Sequence, residues 1–108
     1  MTTINLSVLR AAFESAHEKL MAASDAEVAV WRNDDNELYI NRIIEGSEEL
    51  SALENWADQN LIAADGSPDI GMVGVLEDEG FRMFAGEKDS FGWLSAIVQY
   101  GKLRYVFG

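Results

Sequence analysis

The sequence predicts an α+β fold in a single acidic domain over residues 1–108, with a mostly antiparallel sheet of five or six strands and two helices packed on one face. Three observations predict it. Apolar residues recur every three or four positions from Leu6 to Leu20 and again from Leu50 to Ala57, the spacing of a helix face. Elsewhere β-branched and aromatic residues fall in short alternating runs bounded by Asn, Asp and Gly, as strands do. Near the end, Gly101-Lys102 is the glycine-first pair that suits a two-residue hairpin turn.

The first helix follows from Leu6, Leu9, Phe13, Ala16 and Leu20 on one face, with Asn5 or Ser7 able to cap it. Its other face carries Arg10, Glu14, Glu18 and Lys19, where Arg10 one turn before Glu14 relieves the repulsion between the two glutamates. After Ser24 and Asp25 the period shortens to two: Val28 and Val30 mark one strand, Leu38 and Ile40 another. Asn33, Asp34, Asp35 and Asn36 form the turn between them, which reads as a hairpin. Ser47 then caps a second helix, with Glu48 and Glu49 at the positive end of its dipole and Leu50, Leu53, Trp56 and Ala57 as its apolar stripe.

A loop through Asp65, Gly66, Ser67, Pro68 and Asp69 leads to the run Ile70–Leu76, whose β-branched residues predict a strand weakened by Gly71 and Gly74. Asp78, Glu79 and Gly80 turn the chain, and Phe81, Met83 and Ala85 alternate with Arg82 and Phe84 in a strand expected to pair back on its predecessor. Phe91, Leu94 and Ile97 also fit helical spacing, but the Gly101-Lys102 turn favours a hairpin. In that hairpin Tyr100 faces Leu103, Val98 faces Tyr105 and Ala96 faces Phe107. Trp31, Trp56 and Trp93 are expected in the core, with the outer face of its hairpin as the alternative place for Trp31.

Composition narrows function more than it names it. The chain is 48% hydrophobic, enough for one core, so its net charge of −11 is carried by a globular protein rather than by a disordered one. It has no cysteine, which excludes disulfides, thiolate metal sites and thiol nucleophiles and fits a cytoplasmic location. Residues 1–10 lack the basic start and apolar stretch of an export signal, and no apolar run is long enough to span a bilayer. The negative field repels phosphate, which argues against direct binding of nucleic acid and of anionic membranes.

Catalytic constellations are sparse. His17 is the only histidine, so no imidazole pair can hold a metal, and its helical neighbours Phe13 and Leu20 place it at the core boundary. Gly71 and Gly74 lack the third glycine of a dinucleotide loop and read as strand bulges. Asp65, Ser67 and Asp69 alternate as calcium ligands do, but the positions where that pattern needs glycine and glutamate hold Ile70 and Leu76. No cofactor and no metal are expected. The abundant carboxylates leave a small carboxylate-based hydrolase as the weakest reading.

The strongest signal is charge. Between Ile43 and Phe81 stand ten carboxylates, Glu45, Glu48, Glu49, Glu54, Asp58, Asp65, Asp69, Glu77, Asp78 and Glu79, with no Lys or Arg among them. If they share a face, their density approaches that of a phosphate backbone, about one charge per 1.7 Å of duplex axis. The expected function is therefore non-enzymatic: an acidic protein-binding inhibitor that mimics nucleic acid and blocks a basic surface of a partner, such as a nucleic-acid-binding protein or nuclease, in the manner of a counter-defence factor or toxin antidote. The alternative is an assembly subunit that pairs through a sheet edge, for which the strand ending at Phe107 is the candidate, or as a homo-oligomer.

Overall fold

The first helix forms where the apolar spacing places it. In the computed structural model, which describes residues 5–88 and 94–108, α1 runs Ser7–Ala22 and buries Leu9, Ala12, Phe13 and Ala16. The Asn5 side chain accepts the Ser7 N–H at 2.9 Å and satisfies one of the amides that a helix start leaves without a partner. Arg10 does not turn to Glu14 as expected. It bridges to Glu79, far along the chain.

The next segment corrects the sequence reading. Residues Asp25–Trp31 form α2, a helix and not a strand. Ser24 caps it in a reciprocal box with Glu27, its hydroxyl accepting the Glu27 N–H at 3.3 Å. Val28 and Val30 suggested a period of two, yet Val30 is 76% exposed while Val28 and Trp31, three apart, pack against the core. The polar turn is where it was expected, with Asn36 at φ 64° and the Asn33 carboxamide accepting the N–H groups of Asp35 and Glu37. It joins a helix to a strand, however, and the expected hairpin is reduced to a single antiparallel bridge between Arg32 and Leu38.

Strand β1 is only Leu38–Tyr39, followed at once by the single helical turn α3, Ile40–Ile43. Helix α4, Glu48–Asn60, matches the reading from sequence: the Ser47 hydroxyl accepts the Leu50 N–H at 3.1 Å, and Leu50, Leu53 and Ala57 are buried. Trp56 is half-buried against the core and donates its indole N–H to the Asn5 carbonyl at 2.9 Å.

The second correction is α5, Met72–Asp78, where a strand was expected. Met72 and Leu76 are buried one turn apart, so a helical face wins over the β-branched character of Val73 and Val75. Gly71 and Gly74 consequently are not strand bulges. The turn at Gly80, φ +88°, leads into β2, Arg82–Lys88. Because its predecessor is a helix, β2 pairs instead with β3, Leu94–Tyr100, antiparallel with Met83 opposite Val98. Strand β4, Leu103–Phe107, returns from the Gly101 turn with Tyr100 opposite Leu103, Val98 opposite Tyr105 and Ala96 opposite Phe107, the register read from the sequence. Residue 93, and with it the placement of Trp93, lies outside the described residues.

The result is α+β with five helices among the described residues and a four-stranded mixed sheet in the order β1-β4-β3-β2, rather than five or six mostly antiparallel strands with two helices. Strand β1 lies parallel to β4, Leu38 beside Leu103. Strand β4 is therefore interior, and the sheet edge expected at Phe107 is replaced by edges at β1 and β2. One face of the sheet buries Ala96, Val98, Leu103, Tyr105 and Phe107 under α1, α3 and α4, joined by Leu38 and Phe81. The other presents Phe84, Ile97 and Val106 in one cross-strand row, and Arg82, Gln99, Arg104 and Tyr39 in the next. Among the described residues no helix is long and apolar enough to cross a membrane.

Candidate functional site

The ten carboxylates fall into groups, each placed by a different local device. Ser47 starts α4 and so sets Glu48 and Glu49 in its first turn, where the amide ends of the helix favour negative charge. With Leu50, Leu53 and Ala57 turned to the core, the remaining α4 carboxylates lie on two flanks. Glu48 and Glu49 border a shallow depression with Ser7, Val8 and Ala11 of α1. Glu54 and Asp58 lie toward β4, close enough to Tyr105 for both to oppose its ionisation. Burial is the larger cause of that effect, and together they push the Tyr105 phenol well above its ordinary value.

Asp65 and Asp69 serve their own loop. Asp65 accepts the Ser67 N–H at 3.0 Å and the Ser67 hydroxyl, which holds its carboxyl below the ordinary carboxylate value. Asp69 accepts the Gly71 N–H at 3.0 Å and leads the chain into α5. Glu77 and Asp78 occupy the last turn of α5, and Glu79 follows them with Arg10 as its partner. Glu45 lies exposed in the connection from α3 to α4.

Of the ten, Glu79 alone has an ion-pair partner among the side chains described, those of residues 85–94 left out, and all but the half-buried Asp69 are exposed. Across the described residues no three His, Asp or Glu side chains converge as a metal ion requires. What these side chains can do is electrostatic, Glu79 apart, whose charge Arg10 offsets.

The structure also assembles a feature that the sequence reading did not anticipate. Between α1 and the β3–β4 hairpin runs a groove of about 820 Å³. Phe13, Leu20 and Met21 of α1 form one wall, and Phe81, Tyr100 and Leu103 the other. Phe13, Phe81 and Tyr100 make a three-ring cluster, with centroids 5.5 Å apart for Phe13–Phe81, 6.4 Å for Phe13–Tyr100 and 4.9 Å for Phe81–Tyr100. Gly80 turns the chain beside it, with space for a Cβ only in contact with the Tyr100 ring at 3.4 Å. His17, Glu14 and Glu18 stand along the α1 lip and Lys102 on the hairpin lip. His17 is exposed rather than at the core boundary. The sequence signal for this groove was partial, since the Phe13–His17–Leu20 spacing marks the helical wall but nothing local reveals the strand residues that face it.

Set against models of known families, curated proteins and solved structures, the chain matches none.

Proposed function

We propose that the chain is a non-enzymatic acidic binding module that covers a basic surface on a partner protein, of the kind that otherwise binds nucleic acid. The observation that carries this reading is the set of nine carboxylates, the ten less Glu79, that have no ion-pair partner among the side chains described, which leave out those of residues 85–94. Two helix ends add to it. Asp58 lies in the last turn of α4, and Glu77 and Asp78 in the last turn of α5, where negative charge opposes the helix dipole and neither helix has a basic residue to offset it. A cationic partner relieves that repulsion on contact, so part of its binding energy comes from stress already present in the free protein.

The test is displacement. A basic nucleic-acid-binding protein, loaded with labelled DNA, should release it on addition of this chain at low ionic strength, with the effect falling steeply as salt rises. Nucleic acid that stays bound at low ionic strength with this chain in excess rejects the proposal.

A second reading, an assembly subunit, is favoured by the cross-strand row Phe84, Ile97 and Val106 on the outer sheet face, where Phe84 is 44% exposed and Val106 36%. Light scattering separates the two: a salt-resistant oligomer supports assembly, and a monomer that displaces nucleic acid supports blocking.

A further inference from the structure

We propose that the groove between α1 and the β3–β4 hairpin seats a basic amphipathic helix of the partner protein. This rests on the reading of the chain as an acidic binding module and names where the partner's apolar contacts go.

The volume of about 820 Å³ lies within the range of sites that enclose a ligand, roughly 300–1,000 Å³. Its floor is firm, because Phe13 and Phe81 are 4% and 2% exposed and locked edge to face. Above that floor each side leaves one apolar side chain in water, Met21 73% and Tyr100 51% exposed. An unbranched thioether and an aromatic ring left in water at opposite sides of a cleft are surfaces that adapt to an incoming apolar stripe. What distinguishes Met21 and Tyr100 from Val30 and Ile70, which are no less exposed, is that they line one cleft.

Charge decides which helix fits. Arg10 is occupied by Glu79 at one end of the groove, so the α1 lip presents Glu14 and Glu18 against the single Lys102 of the hairpin lip. The whole molecule adds a net charge of −11. An apolar stripe flanked by Lys or Arg satisfies both demands, with the stripe on the aromatic floor and the flank along Glu14 and Glu18, in the manner of helix-in-groove recognition. An acidic helix meets the field, and a second copy of this chain brings another −11 against it.

The experiment titrates isotope-labelled full chain with a synthetic Leu/Lys peptide of about 18 residues, five helical turns, whose leucines form one stripe. A peptide of the same composition, scrambled so that no stripe forms, is the control. The striped peptide is expected to bind at least roughly tenfold more tightly and to shift the resonances of His17, Met21 and Tyr100. Met21→Glu, at a position 73% exposed, should erase that preference, and Tyr100→Ser should reduce it. Glu54→Gln with Asp58→Asn should weaken both peptides alike.

Equal binding of striped and scrambled peptides, or a preference that survives Met21→Glu, overturns the groove while leaving the acidic-module reading intact. Failure of both peptides to bind at low salt overturns the two together. Self-association that Met21→Glu abolishes gives the groove to a second copy and also overturns the proposal.

Discussion

The Asn41 carboxamide closes both backbone groups of Val106, donating its Nδ2–H to the carbonyl at 3.1 Å and accepting the N–H on Oδ1 at 3.0 Å. Strand β1 stops at Tyr39, two residues short of this position, because the chain turns into α3. A side chain thus takes the place of the missing strand and leaves β4 no free edge at Val106.

Asn41→Ala should therefore cost about 1–2 kcal/mol, the loss of two hydrogen bonds only partly replaced by water. Asn41→Asp should cost no less at neutral pH, since it sets a carboxylate against the Val106 carbonyl. Urea midpoints at constant m-value check both, and an alanine variant as stable as the parent would mean that water serves as well.

Tyr105 predicts an alkaline limit. Its phenol is raised above the ordinary 10.0 by burial and then by Glu54 and Asp58, so the folded chain holds a proton that the unfolded chain releases. The stabilisation is complete below about pH 10 and is lost progressively above it, since the unfolded state then binds fewer protons. Tyr105→Phe should flatten that decline. Melts from pH 8 to 11 on parent and variant decide, and identical slopes would remove Tyr105 as the cause.

The two serine caps should behave differently. Ser47→Ala should lower global stability by about 1 kcal/mol, because α4 is anchored in the core through Leu50, Leu53 and Ala57. Ser24→Ala acts on α2, which buries no residue fully, so its effect should be local. Faster amide exchange from Glu27 to Trp31, with little change in the melt, is the expected signature.

Arg10 and Glu79 form a half-exposed pair, 47% and 48% accessible, that ties α1 to the turn after α5. A double-mutant cycle through Arg10→Ala and Glu79→Gln should give a coupling of less than about 1 kcal/mol that shrinks with added salt. A coupling unchanged at high salt would show that packing, not charge, carries the contact.

What could be read from the chain follows the range of the forces involved. Helices α1 and α4 announce themselves because the residues of each apolar stripe lie within four positions of one another, with the Ser47 cap beside that of α4, and the β3–β4 register follows from Gly101-Lys102, which joins its strands directly. The seven-residue helices Asp25–Trp31 and Met72–Asp78 imitate strands in the sequence because valines at alternate positions carry the strand period across so short a window. Ser24 and Glu27, three apart, were the available signal for the first of these.

The sequence by itself determined the α+β class, the sign and density of the charge, and the elements whose partners are neighbours along the chain. Tertiary structure alone decided that β1 lies parallel to β4, that Asn41 reaches Val106, that Arg10 goes to Glu79 rather than Glu14, and that Phe13 meets Phe81 and Tyr100 across an open groove. Each of those contacts joins residues far apart in the chain, and each exists only because burying the common core outweighs the entropy of closing the loops between them.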